Sequence, residues 1–139
     1  TRMNLGVVYL QTNQPQAALQ QFLAAEPVFR TTQDRWHLAL LYTNQGIAYR
    51  LLQEWQAAAH CYEASIALFQ KLGNLEGEVN AWEELALVQM EQGQVQQAIT
   101  LFQRGLTLLA QMQEDPGYTA LAQSIAGHLQ QAQAIMTTA

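Results

Sequence analysis

Three histidines and one cysteine are the residues that could first ask for chemistry: His37, His60, Cys61 and His128. His60 and Cys61 are sequence neighbours, so on a helix they do not face one way and make a poor metal pair. No carboxylate or cysteine partner recurs beside any of the histidines, and each reads as structural. A Gly-rich phosphate loop, a Gly-x-Ser-x-Gly elbow and a Cys-x-x-Cys pair are all missing from the sequence. The sequence therefore predicts no catalytic residue, no metal ligand and no cofactor, and the chain is not read as an enzyme.

Recurring polar and apolar residues say more. Val7, Ile47 and Leu87 stand forty positions apart, and one turn on come Leu10, Arg50 and Met90. One turn back are Met3, Thr43 and Glu83, beside Asn4, Asn44 and Glu84. An asparagine side chain offers both a donor and an acceptor to a peptide unit. Asn4, Val7, Thr43, Asn44, Ile47, Arg50, Glu83, Glu84, Leu87 and Met90 are thus the candidate contact residues, an apolar floor with an amide-rich wall. Glu83, Glu84 and Glu91 favour a basic ligand residue, whereas Arg50 meets a ligand carboxylate or pairs with Glu83 or Glu91. The alternative for Val7, Ile47, Leu87 and Met90 is packing between neighbouring helices, since apolar helical stripes usually face a core.

The elements that must position these residues repeat with the same period. Gly6, Gly46 and Ala86 are forty apart, as are Ala18, Ala58 and Ala98, then Phe22, Tyr62 and Phe102, then Ala25, Ser65 and Gly105. A fixed period of this length marks a solenoid. The spacing predicts helices over about 15–30, 34–53, 55–72, 74–91, 95–112 and 118–136, with the first helix cut short at Thr1. Pro15 suits a first helical position, Asp34 and Asn74 suit N-caps, and Gly73 a left-handed C′ residue. Pro27 predicts a kink or an early end. Gln92-Gly93-Gln94 and Glu114-Asp115-Pro116-Gly117 are breaks. The reading is all-α, an array of antiparallel helix hairpins with about three and a half repeats. Its approximate bounds are 1–32, 33–73 and 74–114, with a capping or half-repeat helix at 117–137. Small residues would sit where two helix backbones meet, with Tyr62 or Phe102 filling the space between hairpins.

Half of the 139 residues are hydrophobic and 12% are charged, which argues against disorder. A net charge of −5 and scattered basic residues give no nucleic-acid footprint. A lone cysteine and the absence of a long apolar run predict a cytoplasmic protein with no membrane partner.

The small and aromatic residues resemble the tetratricopeptide repeat. Leu5-Gly6 with Tyr9, Ala18, Phe22 and Ala25 match that family's pattern; Gly46, Tyr49, Ala58 and Tyr62 follow it, with Gln45 in place of leucine. Trp82, Leu85, Ala86, Ala98, Phe102 and Gly105 continue it, with Gln89 in place of tyrosine. The forty-residue period is similar to Leu-Gly-Asn-type adaptors and to bacterial regulatory arrays. The resemblance implies a right-handed superhelix whose first helices line a concave groove, where asparagines at Asn4 and Asn44 would grip an extended peptide. It further implies a scaffold that binds a peptide or helix of a partner protein. The rivals are a regulatory or sensor segment of a larger bacterial signalling protein, and a homo-oligomer formed through exposed terminal repeats.

Overall fold

A computed structural model of the chain describes residues 2–111 and 116–138, and among them every regular element is a helix. The elements are α1 (Arg2–Gln11), α2 (Pro15–Thr31), α3 (Arg35–Leu51), α4 (Trp55–Leu72), α5 (Leu75–Glu91), α6 (Val95–Ala110) and α7 (Pro116–Thr138). Met112, the expected end of the sixth helix, and the Glu114-Asp115 break lie outside the described residues. The architecture is an all-α solenoid of helical hairpins. By contact the chain divides into two compact units, Thr1–Glu78 and Val79–Ala139, with the division inside α5.

All five described turns are built alike. Asn13, Gln33, Gln53, Gly73 and Gly93 have φ of 60, 56, 61, 66 and 83°, so the left-handed residue recurs every twenty positions. In each turn the next residue's N–H closes the helix end: Gln14 donates to Tyr9 O at 2.7 Å, Asp34 to Phe29 O at 3.0 Å, and Gln94 to Gln89 O at 2.7 Å. This closure satisfies carbonyls that the helix end would leave orphaned. The next helix starts at once from the same residue. Asp34 accepts from the His37 N–H at 3.2 Å, and Asn74 Oδ1 from the Gly77 N–H at 2.9 Å. Both predicted caps are formed. The Asp34 carboxyl is held below the usual carboxylate range, chiefly by the His37 backbone bond.

The expected early end at Pro27 does not occur, because α2 runs one further turn to Thr31. The Thr31 hydroxyl donates to Pro27 O at 2.8 Å and the Thr32 hydroxyl to Val28 O at 2.9 Å, satisfying carbonyls of the last turn.

In the first unit the small positions meet rings rather than helix backbone. A Cβ on Gly6 would lie 2.5 Å from the Phe22 ring, and one on Gly46 would lie 2.5 Å from the Tyr62 ring. Each ring belongs to the second helix of the glycine's own hairpin and is fully buried. The sequence-based placing of Tyr62 between hairpins is corrected accordingly: its ring lies inside the hairpin, on Gly46. Consecutive hairpins join differently. Phe29 stacks on His37 with ring centroids 5.3 Å apart, and forty residues on the Phe69 ring lies against the backbone of Gly77. In the second unit Gly105 is faced by Val79 and Ile125, 3.3 and 3.5 Å from where its Cβ would be. Phe102, Leu109, Ile125 and Ala132 are buried there.

These contacts leave no room for a branched side chain at Gly46. Gly46→Leu is expected to lower stability by about 1–3 kcal/mol or more through overpacking against Tyr62. A thermal melt unchanged from the wild type would refute the ring-on-glycine packing.

Candidate functional site

In the first unit, α1 and α3 present the candidate residues. Asn4 is exposed, while Val7, Asn44, Ile47 and Arg50 are half-buried. Trp36, Leu40, Asn44, Ile47 and Leu51 recur at helical spacing and form one stripe along α3. Its two ends are open, with Trp36 46% and Leu51 42% exposed. Neither end was singled out as a binding residue from sequence; reading each first helix at i, i+4, i+8, i+11 and i+15 would have found them.

Thr43 lies beneath that stripe. It is 7% exposed, and its hydroxyl sits 2.6 Å from Ser65 Oγ and 3.1 Å from Ala39 O. Ser65 Oγ is also 3.0 Å from Ala39 O. Two hydroxyl protons serve three contacts, so one oxygen accepts from the other. Thr43 thus closes a polar knot between α3 and α4.

A second polar group spans α2, α3 and α4. Gln45, in the place of the family's leucine, donates to Glu26 Oε1 at 3.2 Å and accepts from the Cys61 thiol at 3.7 Å. Glu26 takes Arg30 Nε at 3.0 Å, and Arg30 Nη2 donates to the Tyr42 hydroxyl at 2.6 Å. Burial, and after it the charge on Glu26, pushes the Cys61 thiol up to about 11. Burial likewise raises the Tyr42 hydroxyl. Such a thiol stays protonated at neutral pH and is a poor nucleophile or metal ligand.

In the second unit, Glu84, Leu87 and Met90 of α5 are half-buried, but Glu83 is 7% exposed. Its Oε2 accepts from Ser124 Oγ at 2.7 Å and meets His128 Nδ1 at 2.8 Å. The His128 ring stacks on Phe102, with centroids 5.9 Å apart. Glu83 therefore ties α7 to α5 inside the unit. The Arg104 guanidinium lies 4.7 Å over the Trp82 ring. Beside the α6 start, Val95, Ile135 and Met136 line an open hollow of about 490 Å³. Among the described residues no three of His, Cys, Asp and Glu gather to hold a metal ion, and no helix is long and apolar enough to cross a membrane.

A tetratricopeptide repeat profile matches residues 37–111, more than half of the chain. The chain belongs to the tetratricopeptide repeat family. That membership makes it a protein-interaction scaffold. No curated protein sequence matches it. Among solved structures it is similar to TPR-like repeats of a Podosopora anserina protein assigned as kinesin light chain, at 23% identity and TM-score 0.75. That likeness covers 94% of this chain and 63% of the other, so the chain spans under two thirds of its length. A second structure of those repeats gives 22% identity and TM-score 0.69, covering 94% of this chain and 68% of that one. The type III secretion translocator chaperone SycD of Yersinia enterocolitica gives 14% identity and TM-score 0.76, with 98% and 83% covered. At these identities the likeness is one of fold.

Removing either donor to Glu83 leaves a buried carboxylate short of a partner. Ser124→Ala and His128→Leu should each cost about 1–3 kcal/mol in urea unfolding, and a variant as stable as wild type would contradict the anchor. Cys61 makes a pH prediction. Its folded value lies above the unfolded one, so the unfolded chain loses the thiol proton first. Stability should then fall as pH rises from about 8.5 towards 11, and Cys61→Ala should flatten that limb of the pH–stability curve.

Proposed function

We propose that this scaffold binds a peptide or helix of a partner protein on the open faces of its first helices. In the first unit the contact residues are Asn4, Val7, Asn44, Ile47 and Arg50; in the second they are Glu84, Leu87 and Met90. Thr43 and Glu83 support these faces from below. One observation carries the reading: half-buried Val7 and Ile47 keep apolar surface accessible at equivalent positions, and an asparagine stands beside each. Apolar burial would supply affinity, and the amides would fix the direction of a bound backbone. Neither face offers an activated nucleophile or a general base, so the reading is binding without catalysis.

Self-association is the second reading. Ile135 and Met136 are exposed beside the open hollow in the second unit, an apolar surface a second copy could cover. Light scattering over a concentration series separates the two, since a strictly monomeric chain removes the second reading.

The groove reading is tested by pull-down with wild type and the Asn44→Ala/Leu87→Glu double variant. Partners retained by wild type should be lost from the variant; identical recoveries would place the binding surface elsewhere.

A further inference from the structure

The open face of α3 is apolar along its whole length. Of Trp36, Leu40, Asn44, Ile47 and Leu51, only Asn44 is polar. Trp36 and Leu51 at the two ends are exposed, and the three between them are half-buried. The ends of this row do not recur. On α5 the register counterpart of Trp36 is Glu76, and those of Leu51 on α1, α5 and α7 are Gln11, Glu91 and Gln131, all exposed. The same face of α5 reads Glu76, Asn80, Glu84, Leu87 and Glu91, with one apolar residue.

Direction decides what can use the α3 row. Fifteen residues separate Trp36 from Leu51, about 22 Å of helix at 1.5 Å per residue. Packed helices lie about 8–10 Å apart, so an extended chain that crosses successive first helices touches each of them at one level. Such a chain reaches Ile47 or one end of the row, never both ends. A helix aligned with α3 has the length and the period to cover all of it. Trp36 is already set for such a contact. Its ring stands edge-on to His37 with centroids 4.9 Å apart, while His37 stacks on Phe29 and is bonded through Nδ1 to Asp34. A large ring held in place before binding costs little to order, which is what an anchor residue requires. Charge selects the partner further. α3 carries Arg35 and Arg50 and no carboxylate, whereas α5 carries Glu76, Glu78, Glu83, Glu84 and Glu91 and no cation. Carboxylates beside the apolar stripe of a bound helix would complement α3.

We propose, on the reading that the first-helix faces bind a partner, that α3 holds an amphipathic helix with an acidic flank, laid lengthwise from Trp36 to Leu51. Trp36 and Leu51 are its end contacts, and Leu40 and Ile47 are the floor between them.

The test selects with the intact chain from a displayed library of peptides of about eighteen residues, apolar at i, i+4, i+8, i+11 and i+15 and otherwise alanine, glutamine, glutamate or lysine. A library of the same composition with a proline in each turn is the control. Glutamate-bearing sequences from the first library should be enriched, and the leading peptide, synthesised with a label, is titrated by fluorescence anisotropy. Trp36→Glu/Leu51→Glu in the chain, and glutamate-to-lysine replacement in the peptide, should each weaken binding at least about tenfold, whereas Asn4→Ala should change it less than about twofold. Both substituted side chains are exposed, so the circular dichroism of the double variant should match wild type; if it does not, Trp36→Gln/Leu51→Gln is measured in its place. Enrichment from the proline library, preference for lysine, or binding that needs Asn4 and ignores Trp36 and Leu51 overturns the lengthwise acidic helix and leaves the first-helix faces as the binding surface. No enrichment from either library, or peptides indifferent to all of these substitutions, overturns both readings together.

Discussion

An aromatic ring seated on a glycine is the contact on which the hairpins of the first unit depend. Phe22 on Gly6 and Tyr62 on Gly46 each lie closer than any Cβ would allow. Glycine inside a helix costs roughly 0.5–1 kcal/mol relative to alanine. Complete burial of a phenylalanine or tyrosine ring offsets that cost, because such a ring removes about 150–250 Å² from water. The ring's depth then fixes how far apart two helices lie, and with that the tilt at which the candidate side chains leave α1 and α3. Asn4 and Asn44 owe their matched positions to a contact on the far side of their own helices.

The turns impose the second constraint. Left-handed residues at 13, 33, 53, 73 and 93 make intra-hairpin and inter-hairpin links the same structure. Glycine adopts that conformation freely, whereas Gln33 and Gln53 adopt it against side-chain crowding. The helix-end bonds to Phe29 O and Tyr49 O hold them there. Because both link types have one length, the period is twice twenty, and in the first unit the stripes on α1 and α3 stay in phase.

Much of this was legible in the residues, and the exceptions have physical causes. Gly73, Asn74 and Asp34 announced their roles because their side chains, or the lack of one, act on the nearest backbone. Gln33 and Gln53 announced nothing, since glutamine carries no preference for positive φ and the helix ends dictate it. Small residues at positions 6, 46 and 105 were visible as a pattern, but not what faces them: two meet rings and one meets aliphatic carbons. Of the candidate binding residues, Asn4 is exposed, Asn44 and the apolar row are half-buried, and Val7 packs in part against the Phe22 cluster. Thr43 and Glu83 turn inward because their partners, Ser65 and Ser124 with His128, are 22, 41 and 45 residues away. No local spacing rule reaches that far.

Thr43 and Glu83 occupy one register position, and their difference explains how the last helix is seated. In the second repeat Thr43 is answered by Ser65 within its own hairpin. Forty residues on, the answering position is Gly105, which has no hydroxyl, so the longer Glu83 side chain reaches α7 instead. Apolar packing alone would tolerate a one-turn slide of α7, because alanines and leucines recur along it. A buried carboxylate whose single oxygen is met by Ser124 and His128, one turn apart, meets both of them in only one register. A one-turn slide would bring one of the two into the other's place and take the second away, leaving the buried Glu83 side chain with one partner at most, a loss that a shifted alanine contact does not offset. The sole carboxylate buried among the described residues thus stands where it fixes the register of α7 on α5.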